Sequence, residues 1–210
     1  APPGRLVLDK ALPVASGLGG GSSDAGAALR LLRQALALPV DARGLEAVAA
    51  GLGSDGPACL WGRPVGAEGR GEQLSPAPAM AQIHAVLVNP GAACPTGAVY
   101  QAYDAGPPAA ADRPGLPNRL GDVQAVAALM ARTRNDLEAP AAAVVPPIAA
   151  TLAWLRARPE TLAARLSGSG ATSFALCEDE AAAARLAAAA AQKGWWARAC
   201  RLGGTPVQRT

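Results

Sequence analysis

Between Pro13 and Gly26 the chain reads PVASGLGGGSSDAG, and four glycines, Gly17, Gly19, Gly20 and Gly21, fall within five positions. Ser22, Ser23 and Asp24 then open a run from Ala25 to Leu36 whose apolar residues recur at helical spacing. A flexible turn therefore feeds the amino terminus of a helix. Glycine lets the main chain reach positive φ and approach a ligand with no Cβ in the way, and the first-turn amides of a helix have no partner inside it. Together these make a site for an anion. The helix end favours such a charge by roughly 0.3–1 kcal/mol when exposed and up to about 2 kcal/mol when partly buried.

The common nucleotide loops fit poorly. A Walker A loop ends in Gly-Lys-Ser/Thr, whereas the last glycine here is followed by Ser22 with no lysine. A Rossmann fingerprint needs Gly-x-Gly-x-x-Gly after a strand, and the third glycine comes two residues too early. A glycine-rich linker is the plainer alternative, but linkers do not usually end in Ser-Ser-Asp followed by an apolar helix.

Composition narrows the partners. With 210 residues, 50% of them hydrophobic and 17% charged, the chain can bury a substantial core and is expected to form more than one lobe. A net charge of +3 and 3% aromatic residues give neither a nucleic-acid footprint nor a base-stacking platform, which leaves small molecules as the expected partners. No window reaches about 18 uninterrupted apolar residues, and the start APPGRLVLDK has no signal-peptide layout. The expectation is a cytoplasmic protein with no membrane partner; nothing in the sequence sets its oligomeric state. Cys59, Cys94, Cys177 and Cys200 lie far apart without a CxxC pair, so they read as reduced structural thiols and no metal ligand is assigned.

Along the chain, Leu6, Val7 and Leu8 predict a strand that delivers the glycine loop. The first helix is expected over residues 23–37, with Leu29, Leu32 and Leu36 on one stripe and Pro39 as its stop. Asp41 then caps a short helix. In GLGSDGPACLWG, Asp55 stands between Ser54 and Gly56 and ahead of Pro57, a tight turn that starts another helical piece with the aspartate as turn or cap residue. EGRGEQL reads as a hairpin turning on Gly69 and Gly71, and IHAVLVN as a strand that ends at Pro90. His84, the only histidine, lies in that strand with no nucleophile near it and is read as structural.

In CPTGAVYQAYD, Thr96 can cap a helix and Tyr100 falls one turn inside, placed as well for core packing as for ligand contact. Residues 105–121 read as loop, 122–131 and 147–157 as helices, and SGSG at 167–170 as a turn leading to a strand over 171–177. An alanine-rich helix over 178–192 and a strand over 195–200 close the chain. The class is α+β in two lobes, an amino-terminal part, 1–82, with the loop and Asp55, and a carboxy-terminal part, 83–210.

The glycine stretch resembles the phosphate loop of the GHMP kinases. Its triple glycine with Ser-Ser-Asp is similar to the branch of that family that phosphorylates a hydroxyl of a cytidine-diphosphate-linked polyol. The resemblance implies that Pro13, Val14, Ala15, Ser16, Gly17, Leu18, Gly19, Gly20, Gly21, Ser22 and Ser23 wrap the phosphates of ATP. The family's Gly-Ala-Asp-Val-Pro, whose aspartate takes the proton from the substrate hydroxyl, is matched by residues 53–57 with Ser54 and Gly56 replacing alanine and valine. Asp55 is thereby implied as the catalytic base, on a support that Gly56 loosens. EGRGE resembles Glu-Gly-x-Gly-Glu. Pro95 to Tyr100 resembles Pro-Thr-x-x-x-Phe, which implies that Thr96 contacts substrate and Tyr100 stacks on a cytosine ring. Asn135 to Glu138 resembles an Asn-Asp-Leu-Glu segment that introduces the second-lobe helices, and Ser167 to Ala171 resembles Ser-Gly-Ser-Gly-Ala, a phosphate-facing turn that adds Gly168 and Ser169 to the contacts.

The implied fold is a two-lobed α+β GHMP kinase, and the implied reaction is phosphoryl transfer from ATP, with Mg²⁺ arriving on the nucleotide and touching Ser23. The family also carries strands ahead of the loop that supply a catalytic lysine beside an asparagine. The only lysines here are Lys10, just before the loop, and Lys193, and neither fills that place. The resemblance thus implies a chain truncated at its amino terminus and inactive alone. Two other readings remain open: another GHMP kinase, of homoserine or mevalonate type, and a non-catalytic nucleotide-binding fragment.

Overall fold

A computed structural model describes residues 4–14, 16–107 and 114–204. Ala15, one of the loop positions named above, lies outside the described residues. The described chain divides into two compact units, 4–14 with 19–77 and 16–18 with 78–204.

The first unit holds three helices, α1 (Gly20–Ala35), α2 (Ala42–Leu52) and α3 (Gly56–Trp61), followed by an antiparallel hairpin of β1 (Val65–Glu68) and β2 (Gln73–Pro76). Helix α1 starts inside the glycines, three residues before the sequence places it: Gly19 takes the left-handed conformation (φ 62°) and its carbonyl accepts from the Ser23 amide at 2.8 Å. Ser22 and Ser23 therefore stand within the first turn and do not cap it. Asp41 caps α2, accepting from the Gly44 amide at 2.8 Å. Leu45, Ala49 and Leu60 are buried with Leu29 and Val40 packed against them. Leu32, expected on the same stripe as Leu29, is 44% exposed. The strand expected at Leu6 to Leu8 does not form; these side chains are exposed and have no ladder partner among the described residues.

The second unit contains, in order, β3 (Ala79–Met80), β4 (Ile83–Asn89), α4 (Thr96–Asp104), β5 (Arg119–Leu120), α5 (Val123–Arg132), α6 (Glu138–Val144), α7 (Pro146–Arg156), β6 (Ala163–Leu166), β7 (Ser173–Cys177), α8 (Glu180–Ala191) and β8 (Trp196–Leu202). A four-stranded antiparallel sheet has the order β6-β7-β4-β8, and β3 pairs with β5 in parallel. Strand β4 is interior and buried on both faces, which is why IHAVLVN is a nearly unbroken apolar run. Val86 and Val88 pack with Leu155 of α7 and Leu186 of α8, while Ile83 and Ala85 turn to the other face with Leu120 and Val126. A third cluster, including Val99, Ala141, Ile148 and Leu166, joins α4, α6, α7 and β6. Asp122 and Asp179 cap α5 and α8 through side-chain bonds to the amides of Ala125 and Ala182, and Pro146 and Pro147 open α7, where a missing N–H is harmless.

Candidate active site

In the first unit the glycine loop is open to approach. A Cβ on Gly21 would meet nothing within 4 Å, and one on Gly20 would lie 3.5 Å from Lys10 Nζ and 3.6 Å from Leu12 Cδ1, ordinary contact distances. Lys10 pairs with Asp24 beside the loop, both side chains about one-third exposed (32% and 34%); an ion pair this wet contributes little to stability. Beneath the loop, α1 and α3 approach closely because Gly26 carries no side chain: a Cβ there would sit 2.9 Å from the Cys59 carbonyl oxygen. Arg30 ties the two helices by donating to the Leu60 carbonyl at 2.6 Å. Cys59 Sγ lies 3.5 Å from Ser23 Oγ and 3.9 Å from the Gly19 carbonyl oxygen.

Asp55 stands at the amino-terminal end of α3, four residues before Cys59, or about 6 Å along the helix. It occupies the cap position but its side chain makes no cap bond, and the exposed carboxylate has no hydrogen-bond or ion-pair partner among the described residues. Two glycines fix the turn around it. A Cβ on Gly56 would fall 2.0 Å from the Ala49 carbonyl oxygen, so the start of α3 sits directly on α2, and Gly56, in place of the family's valine, is the residue this packing requires. Gly71, at φ 110° in the β1–β2 turn, brings the hairpin against Ser54, with a Cβ there placed 2.6 Å from the Ser54 carbonyl oxygen. A cavity of about 240 Å³ has Gly21 and Ser22 on one wall and Ala49, Leu52 and Gly56 on another.

In the second unit, residues 16–18 are strapped to the turn 167–170. The Thr172 amide donates to the Ser16 carbonyl at 3.1 Å and Ser167 Oγ to the Gly17 carbonyl at 2.8 Å. Gly17, at φ 73°, is wedged so tightly that a Cβ would lie 2.4 Å from the Gly170 carbonyl oxygen and 2.7 Å from that of Ser167. Thr96 does not cap α4. Its hydroxyl meets Ser169 Oγ at 2.9 Å, while Cys94 Sγ donates to the Ser169 carbonyl at 3.1 Å. Burial pushes the Cys94 thiol above its ordinary pKa, which keeps that donor protonated. Ser169 is itself buried. Tyr100 is 50% exposed and, with Tyr103, Asn135, Gly168 and Phe174, lines an open cavity of about 560 Å³.

Within each unit, residues far apart in sequence are thus brought together: the loop and the cavity beside Asp55 in one, Thr96, Tyr100, Gly168 and Ser169 around one turn in the other. Pro13 is half-buried and Val14 exposed. Sequence reasoning missed Asn135 and Glu138 as neighbours of that turn. Asn135 Nδ2 donates to the carbonyls of Leu166 (3.1 Å) and Gly168 (2.8 Å), and the Leu166 amide donates to Glu138 Oε2 at 3.0 Å. Their Asn-Asp-Leu-Glu spacing was visible, but an asparagine and a glutamate flanking a helix start look like ordinary capping residues. Among the described residues no three His, Cys, Asp or Glu side chains are grouped to hold a metal ion, and no helix is long and apolar enough to cross a membrane.

Both lobes have known counterparts. Residues 2–63 match the GHMP kinases N terminal domain and residues 113–194 the GHMP kinases C terminal family. The chain belongs to the GHMP kinases. It is similar to 4-diphosphocytidyl-2-C-methyl-D-erythritol kinase of Caulobacter sp. (strain K31), 59% identical over 97% of this chain and 71% of that protein, and to the same-named protein of Hyphomonas neptunium, 50% identical over 96% and 69%. A crystal structure of 4-(cytidine 5'-diphospho)-2C-methyl-D-erythritol kinase superposes with a TM-score of 0.75 at 36% identity, covering 94% of this chain and 70% of that one. Homoserine kinase from Cytophaga hutchinsonii, at 18% identity and a TM-score of 0.60, shares the fold.

Proposed function

We propose that the protein transfers the γ-phosphoryl group of ATP to the 2-hydroxyl of 4-diphosphocytidyl-2-C-methyl-D-erythritol, a step of non-mevalonate isoprenoid precursor synthesis. The observation that carries the chemistry is the Asp55 carboxylate, unpaired among the described residues, next to the cavity that Gly21, Ser22 and Gly56 line. The similarity to the two bacterial kinases supports the choice of substrate.

Phosphoryl transfer depends on alignment and on charge stabilisation more than on covalent chemistry by the protein. The loop, residues 13–23, supplies main-chain amides and the positive end of α1 to the nucleotide phosphates. The substrate hydroxyl oxygen forms a bond to the γ-phosphorus as the bond to the ADP oxygen breaks, and the hydroxyl proton passes to the Asp55 carboxylate. Tyr100 offers its half-exposed ring to the cytosine, and Thr96, Gly168 and Ser169 shape the turn beside it. The donors present suit a magnesium ion that arrives already bound to phosphate, since such an ion keeps waters and takes one or two protein oxygens. Ser23 Oγ, in the first turn of α1 and, among the described residues, bonded only to a thiol, is the side-chain oxygen that would reach it. Held there, the ion would neutralise phosphate charge.

Replacing the base tests the assignment. In the full-length protein Asp55→Asn keeps the shape of the side chain but cannot take the proton, so turnover should drop by about 10²–10⁴-fold with ATP affinity unchanged. Turnover and nucleotide affinity are measured side by side, with homoserine and mevalonate as control substrates that stay unphosphorylated. Near-normal turnover in the variant would return Asp55 to a plain turn residue.

A further inference from the structure

We infer that Asn135 is a positioning residue for the nucleotide loop, acting through the turn 167–170; this rests on the reading of residues 13–23 as the ATP site. The turn contains two glycines at positive φ, Gly168 at 54° and Gly170 at 92°, and two backbone bonds close it, Gly170 amide to Ser167 carbonyl and Ser167 amide to Thr172 carbonyl, each at 2.9 Å. Such a segment has little intrinsic stiffness. Side chains from outside supply the rest: Cys94 and Thr96 hold Ser169, and the flanks of Ser167 are held by Asn135. Its one amide nitrogen donates to the Leu166 and Gly168 carbonyls, which bracket Ser167, and its Oδ1 accepts from the Leu137 amide at 3.0 Å, so the plane of the side chain is fixed from both ends. Glu138 Oε2 holds the Leu166 amide, and Glu138 Oε1 pairs with Arg156.

The consequence reaches the loop through two contacts. Ser167 Oγ donates to the Gly17 carbonyl at 2.8 Å, and Gly17 fills the space in front of the Ser167 and Gly170 carbonyls so closely that no side chain would fit. A shift of the turn by a few tenths of an ångström must therefore move residues 16 and 17, which are themselves part of the loop. Asn135 lines the cavity that holds Tyr100, yet it acts on the nucleotide without touching it, because both its donors are committed to the turn.

Titration calorimetry with ATP and magnesium on the protein, Asn135→Ala, Ser167→Ala and the double variant separates this role from simple structural support, with thermal unfolding recorded alongside. Each single change is expected to weaken ATP about tenfold, and the pair together no more than about tenfold, because both break one chain of contacts and their effects do not add. Losses that multiply to about a hundredfold, or an Asn135→Ala protein that melts earlier but binds ATP as before, reject the inference. Asn135→Asp retains the acceptor for the Leu137 amide while turning a carboxylate on two carbonyls. It should weaken ATP at least as much, and it decides the question if the alanine variant does not fold. Amide exchange at residues 16–18 without nucleotide reports the positioning whatever the loop binds: faster exchange in either Asn135 variant supports it and unchanged exchange overturns it. Failure of the unsubstituted protein to bind ATP would instead strike the assignment of the loop.

Discussion

In each unit, single residues are distinguished by the contacts they do not make. Asp55 occupies a helix-cap position and leaves it unused, and Tyr100 keeps half its surface exposed while its neighbour Val99 is fully buried. A ring on an open cavity wall contributes little to packing and retains a free π face. Tyr100→Ala should therefore weaken the cytidyl substrate by on the order of 1–3 kcal/mol, the range for base stacking on aromatic side chains, with ATP affinity and melting temperature near those of the unsubstituted protein. Equal losses for both ligands would make the ring a packing residue.

Elements are set by where backbones must touch. Helix α1 begins at Gly20 because Gly19 can take the left-handed conformation, and it lies against α3 because Gly26 leaves room for the Cys59 carbonyl. The glycines of the loop consequently have different duties, which substitution separates. Gly17→Ala forces a Cβ into two carbonyl oxygens at a positive φ and should destabilise the fold by more than about 1 kcal/mol. Gly20→Val meets only the ends of Lys10 and Leu12, so the protein should fold and melt normally while losing ATP, the branched side chain now filling the approach. Denaturant titration and nucleotide binding, measured on both, distinguish them; a Gly20→Val protein with undiminished ATP affinity would remove that stretch from the phosphate site.

At the scale of the whole molecule, all four cysteines are free thiols, and those of the second unit carry a pH dependence. Cys177 lies in the cluster of β4, α7 and α8; burial first, then the carboxylates of Glu160 and Asp179, push its thiol from the ordinary 9.0 up to about 11. Burial also raises Cys94 and Cys200. Between about pH 9 and about pH 11 the unfolded chain releases the Cys177 proton while the folded one keeps it, so its contribution to stability is complete below pH 9 and is lost as pH climbs through that interval. Urea unfolding at stepped pH should show stability falling across it, and Cys177→Ala should flatten the decline. An equally steep decline in the variant would assign it to other groups.

The sequence by itself determined the α+β class, the strand Ile83–Asn89, the hairpin on Gly69 and Gly71, and the family, because apolar periodicity and turn residues are local signals and the glycine, aspartate and SGSG motifs keep their order. It could also name Thr96, Tyr100, Gly168 and Ser169 as candidates, though not what each would touch. Those outcomes needed tertiary structure. Leu6 to Leu8 has strand composition, but a strand exists only where a second backbone offers its N–H and C=O groups, and none of the described residues does. Thr96 lost its cap role to a hydroxyl 73 residues away. Gly56 looks in sequence like a looser support for Asp55 and in the structure is a close contact, since the carbonyl that excludes a side chain there belongs to Ala49 on another helix. Asn135 and Glu138 look like residues of a helix start until the turn they hold folds back beside them, because a hydrogen bond depends on distance in space and local pattern carries no record of it.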